Sequence, residues 1–158
     1  MTFSVIQLSK SFIPKAHVAL TLALLALASL LLQSTANAEE KTLLGNWEVH
    51  HIVLSTTFLT PEIAKANNIV RSKYSALVNI SVLDSKDKTA QNVSITGTAR
   101  NLLGNSKKLS FKKVTEGDAI YYLAVFSHAH KEKFRFDINI QQGNETQTLQ
   151  LEQEMYVD

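Results

Sequence analysis

The chain has 158 residues, 16 Lys or Arg against 14 Asp or Glu, and no cysteine. That length suits one domain with its own apolar core. The lack of thiols excludes disulfides, thiolate metal sites and cysteine nucleophiles, and the near balance of charge removes any case for nucleic acid binding by net charge.

Residues 1–38 contain no acidic side chain. Lys10 and Lys15 precede an apolar run over 18–32, and the segment closes on Ala36-Asn37-Ala38. A cationic start, an apolar helix and small residues at the cut are the pattern of a secretory signal peptide. As a helix the run spans about 22 Å, short of the hydrocarbon core of about 30 Å. Cleavage is therefore expected after Ala38, leaving a single exported domain over 39–158 with no membrane span. No cysteine follows the run, which excludes a lipoprotein anchor. Both signal lysines leave with it, so the remaining chain is near neutral.

Residues 39–44 read as a short polar lead. Residues 47–56 read as a strand with Trp47, Val49, His51 and Val53 on one face. Thr60-Pro61-Glu62 then opens a two-turn helix near 61–66: Thr60 can cap, Pro61 suits the first helical position, and Glu62 suits the positive end of the dipole. Asn67-Asn68 can end it in a left-handed conformation. Two turns cannot stand alone, so Phe58, Leu59 and Ile63 are expected to pack the helix onto a sheet. Residues 74–84 alternate, with Tyr74, Ala76, Val78, Ile80 and Val82 on one face. Residues 93–99 follow, where Gly97 points to a bulge or a close backbone approach. Residues 107–115 carry Leu109 and Phe111 inward among four lysines, a composition that suits a sheet edge.

Glu116-Gly117 turns the chain into Ala119-Ile120-Tyr121-Tyr122-Leu123-Ala124-Val125-Phe126-Ser127, which no charge interrupts. It is too short for a membrane helix and rich in strand-forming residues, so it is expected inside a sheet and covered on both faces. Residues 132–140 alternate cleanly, with Phe134, Phe136, Ile138 and Ile140 inward, and 148–157 close the chain. The fold expected is all-β: an antiparallel two-layer β-sandwich of about seven strands, with an immunoglobulin-like layout as one option.

The wording Phe58-Leu59-Thr60-Pro61-Glu62, Val70-Arg71-Ser72-Lys73, Thr98-Ala99-Arg100-Asn101-Leu102-Leu103-Gly104, Glu116-Gly117-Asp118-Ala119-Ile120-Tyr121-Tyr122 and Met155-Tyr156-Val157-Asp158 resembles a family of small exported proteobacterial proteins known only as a domain of unknown function. The resemblance covers essentially all of 39–158. One departure is Asn67-Asn68, where the family carries an aromatic residue and a glycine. The resemblance implies a periplasmic setting and brings no activity, cofactor or catalytic residue.

No catalytic motif is present: no G-x-S-x-G, no H-E-x-x-H and no phosphate loop. The polar group that best suits ligand binding is Arg71-Ser72-Lys73, two cations and a hydroxyl able to hold a carboxylate or phosphate, with Arg100 joining if the fold brings it near. Tyr121 and Tyr122, one on each face of their strand, are the aromatic candidates, although core packing with a bonded hydroxyl is the plainer role for at least one of them. His128 and His130 share a face if their segment is extended. With His50 or His51 nearby they could bind zinc or copper(II), against the plainer account of solvated imidazoles. No cofactor is expected. The function expected is non-catalytic binding to an envelope protein or cell-wall component by a monomeric or weakly associating protein, using the 57–73 connection and one sheet face, with a histidine-based metal-binding protein as the alternative.

Overall fold

A computed structural model describes residues 40–157; the expected signal peptide and its cleavage after Ala38 lie outside the described residues. Among the described residues no helix is long and apolar enough to cross a membrane. Strands β1 (Glu40–Leu44), β2 (Trp47–Ser55), β3 (Ser75–Asp84), β6 (Lys112–Glu116) and β7 (Ala119–Ser127) form one antiparallel sheet in the order β1-β2-β3-β7-β6. Strands β4 (Ser94–Asn101), β5 (Ser106–Leu109), β8 (Glu132–Gln142) and β9 (Glu145–Met155) form a second in the order β5-β4-β8-β9. With β1 set aside, these are the A-B-E-D and C′-C-F-G orders of an immunoglobulin-like sandwich. The β2–β3 connection holds a 3-10 turn at Thr56–Phe58 and the helix α1 (Pro61–Asn67).

The core follows from the period-two pattern. Val78, Ile80 and Val82 of β3 are fully buried, as are Phe134, Ile138 and Ile140 of β8. Each such side chain contributes about 1.5–3 kcal/mol by leaving water. Phe126 of β7 bridges the layers, its ring edge-on to Phe134 at 5.2 Å and Phe136 at 5.5 Å. Gly97 marks the expected close approach: a Cβ there would lie 3.1 Å from Ile138 Cγ1 and 3.2 Å from the Asp137 carbonyl.

Among the described residues nine strands replace the expected seven or so, for two reasons. Residues 40–44 are not a polar lead but the edge strand β1, laid along Trp47–His51. An edge strand in solvent tolerates the polar side chains that hid it. Residues 107–115 are not one strand: the chain leaves the second sheet after Leu109 and joins the first at Lys112, with Phe111 packed against the core at the crossing. Both halves are edges, in keeping with their four lysines. The last strand also starts earlier and ends earlier than expected, at Glu145–Met155. β7 does lie inside its sheet, between β3 and β6, but its outer face is only partly covered: Val125 is 44 % exposed. Phe58, expected to pin the helix, is 69 % exposed.

Candidate functional site

Helix α1 forms as its ends dictate. The Thr60 hydroxyl accepts the Ile63 N–H at 3.3 Å, and Pro61 needs no donor partner in the first turn. Asn68 ends the helix in the left-handed region at φ 58°, ψ 39°, a conformation asparagine tolerates in place of glycine. Its own backbone N–H, then the Thr60 hydroxyl, hold the Glu62 carboxyl below the usual carboxylate range.

Side chains close this connection on itself and tie it to the first sheet. Thr56, fully buried, accepts the Ser72 N–H at 2.9 Å and donates its own hydroxyl to the Ser72 carbonyl at 3.0 Å. Arg71 Nη2 donates to the Thr57 carbonyl at 2.9 Å, and Lys112 Nζ reaches from β6 to the Asn67 carbonyl at 3.3 Å. Ala64 of α1 and Leu77 of β3 are both buried yet stand outside the main core cluster. They belong to a second, smaller apolar layer between the strap and the outer face of the sheet.

That layer is incompletely filled. A half-open pocket of about 140 Å³ remains beneath the strap. Leu59, Ile63, Asn67 and Ile69 roof it; Leu77 and Asn79 of β3, Val114 and Glu116 of β6 and Tyr121 and Leu123 of β7 line the sheet side. These floor residues come together because β3, β7 and β6 are neighbours, with Asn79 opposite Leu123 and Val114 opposite Tyr121. Asn79 differs from the other polar residues of this mostly apolar lining, Asn67 and Glu116, in that its Oδ1 is buried without a hydrogen-bond partner. A buried acceptor left unpaired costs about 1–3 kcal/mol, so Asn79 Oδ1 is placed to accept from a donor that enters the pocket.

The residues singled out from the sequence fall at several separate places. Arg71 and Ser72 are the strap's fasteners, and Lys73 Nζ lies 5.4 Å above the Tyr74 ring. Arg100 is exposed on β4, opposite Arg135 in the second sheet. Tyr122 points into the core, where its hydroxyl accepts the Val93 N–H at 2.8 Å and donates to the Gln91 carbonyl at 3.1 Å. Burial raises its hydroxyl above the ordinary tyrosine range. The structure therefore brings Arg71, Ser72 and Lys73 together and does not join them to Arg100 or Tyr122.

Residues 128–131 form a turn with Lys131 at φ 56°, so the histidines do not share an extended face. His128 is buried, with Nδ1–H donating to the Ala129 carbonyl at 3.0 Å, while its Nε2 has no partner. His130 Nδ1 accepts the Val157 N–H at 3.1 Å. His51 pairs with Ile80, six residues along β3 from Tyr74, whose carbonyl takes the His128 N–H. At 3.3 Å per residue the two histidine pairs lie about 20 Å apart. Among the described residues no three His, Asp or Glu side chains are grouped to hold a metal ion.

Strand order and site together define an immunoglobulin-like β-sandwich with an apolar pocket under its strapped β2–β3 connection. The chain belongs to the family described as Domain of unknown function (DUF4426), whose model matches residues 41–158. It is similar to the crystal structure of a DUF4426 family protein from Pseudomonas aeruginosa PAO1, with 31% identity and a TM-score of 0.67 over 76% of this chain and 96% of that one. More distant folds include FetP of uropathogenic Escherichia coli strain F11, expressed in the periplasm: 12% identity, TM-score 0.50, 75% of this chain and 92% of that one. A copper-bound FetP variant matches at 14% identity and TM-score 0.50, over 76% of this chain and 95% of that one. At these identities the FetP likeness concerns the fold alone. No curated protein is similar in sequence.

Proposed function

We propose that this protein is an exported, non-catalytic binding domain that acts in the periplasm and takes a small aromatic group bearing a hydrogen-bond donor into the pocket under α1. The observation that carries the reading is the unpaired Asn79 Oδ1 at the buried floor of a mostly apolar pocket. Ligand sites in general are apolar concavities with few, well-placed polar atoms. A cavity of about 150 Å³ lined by aliphatic side chains is large enough for a benzene ring. The pocket is of that size, and the donor would reach Asn79 while the ring met Leu77, Tyr121 and Leu123. Both a free phenol and a tyrosine side chain of an envelope protein carry this chemistry.

Export is supported by the cationic, apolar and A-x-A pattern of residues 1–38. Intact mass of protein expressed from the full 158-residue sequence and recovered from the periplasm tests it, with an N-terminus at Glu39 expected. For binding, amide shifts are followed by NMR as p-cresol, toluene and N-acetyl-tyrosine amide are titrated in. p-Cresol is expected to move Asn79, Tyr121 and Leu123 and to bind about 2- to 12-fold tighter than toluene, the worth of one net hydrogen bond. Tighter binding of the tyrosine amide than of p-cresol points to a protein side chain, and the reverse to a free phenol. Shifts confined to other surfaces, or equal affinity for p-cresol and toluene, overturn the reading.

A further inference from the structure

The four sheet edges are treated unequally. β1, β5 and β6 are four or five residues long, and each carries at least one lysine. Short strands and edge lysines are the usual defences against edge-to-edge pairing. β9 is the opposite: eleven residues, ETQTLQLEQEM, with no lysine, arginine, proline or glycine. Among the described residues it pairs only with β8.

The hairpin fixes which backbone groups face outward. Gly143-Asn144 is a two-residue turn, with Gly143 at φ 58°, between the partners Gln142 and Glu145. In such a hairpin the flanking pair exchanges both hydrogen bonds, and every second residue does the same. The odd-numbered residues 145–155 therefore bond to β8. Thr146, Thr148, Gln150, Glu152 and Glu154 turn their N–H and C=O groups away from it, and all five are exposed.

We infer that β9 is an open pairing edge and that its occupant is a second copy of this chain, joined by an antiparallel β9–β9 ladder about a two-fold axis at Gln150. The argument for a second copy is that the edge is complementary to itself. An antiparallel register centred on Gln150 sets Gln150 opposite Gln150, Thr148 opposite Glu152 and Thr146 opposite Glu154. It forms about ten backbone hydrogen bonds and puts no two carboxylates opposite each other. Moving the axis to Glu152 would oppose two carboxylates and shorten the ladder. Glu152 is further quieted by Lys133 and Arg135, each at 2.6 Å. Of the two states expected from the sequence, monomeric or weakly associating, this assembly is the second. It leaves the pocket open, because that lies on the first sheet and β9 edges the second.

A ladder without a large apolar interface makes a weak dimer, with a dissociation constant on the order of 10–1,000 µM. Sedimentation of protein from the full 158-residue sequence, up to about 1 mM, should show mass rising from one chain toward two. Thr148→Glu places a carboxylate opposite Glu152 at both ends of the axis and should weaken association about tenfold; Thr148→Lys should strengthen it by a similar factor. Gln150→Pro removes an outward N–H without touching the β8 ladder and should abolish pairing. Thr148 is exposed, so its variants keep the test valid even if the proline variant fails to fold. A single-chain mass at every concentration overturns the inference, as does a dimer indifferent to both Thr148 charges. Capture of another protein's strand by a chain that never self-associates also overturns it.

Discussion

Asn79→Leu is expected to make the domain more stable and less able to choose its ligand. Asn79 lies in the middle of β3, opposite Ile52 on β2 and Leu123 on β7, with its Oδ1 buried and unbonded. That acceptor costs about 1–3 kcal/mol, and a leucine of similar shape removes the cost while adding apolar contact with the pocket lining. A central strand also suits leucine better than asparagine. The net gain expected is about 1–2 kcal/mol, or about 4–8 °C in Tm for a domain of this size. Urea unfolding followed by tryptophan fluorescence reads it directly: the midpoint should rise while the slope with denaturant stays unchanged. The same variant should narrow the preference for p-cresol over toluene, since the buried acceptor at the pocket floor is gone. A residue that lowers stability is what a binding site leads one to expect. An unchanged or lower midpoint would mean that Asn79 already has its hydrogen bonds in solution, and the pocket reading would fall with that result.

Thr56→Val removes both bonds to Ser72 while keeping the shape of a fully buried side chain. A loss of about 2 kcal/mol is expected, with faster hydrogen exchange at the Ser72 amide and little change at Phe136. Gly97→Ala should cost about 1–3 kcal/mol by urea unfolding, because its Cβ would press on the Asp137 carbonyl and on Ile138. Glu48 governs an acid limb. Hydrogen bonds from Lys88 and then His50 hold its carboxyl at about 2, against 4.5 when unperturbed. A depressed folded value means that the stabilisation is present above 4.5 and is lost as pH falls toward 2. The difference in stability between wild type and Glu48→Gln should therefore shrink across that window, and a difference independent of pH would show that the Lys88 and His50 bonds do not act on the carboxylate.

The strands legible in the sequence were those whose burial is one-sided and strong. In β8, Phe134, Phe136, Ile138 and Ile140 are all buried while Arg135, Asp137 and Asn139 are exposed, so period and environment agree. The helix was legible from its caps, Thr60 at one end and Asn68 at the other, because capping is local chemistry. β1 was hidden, since an edge strand is held by its neighbour's backbone and needs little apolar pattern. The break between β5 and β6 was hidden for another reason. The chain changes sheets at Ser110-Phe111 without Gly or Pro, and only the position of the other sheet makes the crossing necessary.

The site was half-written in the sequence, on the wrong side of its strands. Leu77, Leu123 and Tyr121 occupy the face opposite the main core, and Asn79 interrupts that second apolar set. Reading for charge led to Arg71, Ser72 and Lys73, which fasten the strap that roofs the pocket, and past the neutral amide beneath it. Apolar residues on both faces of β3 and β7 signalled a cover on each side, and a two-turn helix too small to cover everything signalled a gap. What no one-dimensional pattern contains is that β6, distant in sequence from β3, closes the floor with Val114, and that Lys112 reaches back to Asn67 to hold the roof. Those contacts depend on which strands become neighbours, and the crossing between sheets at 110–111 is what sends β6 to that place.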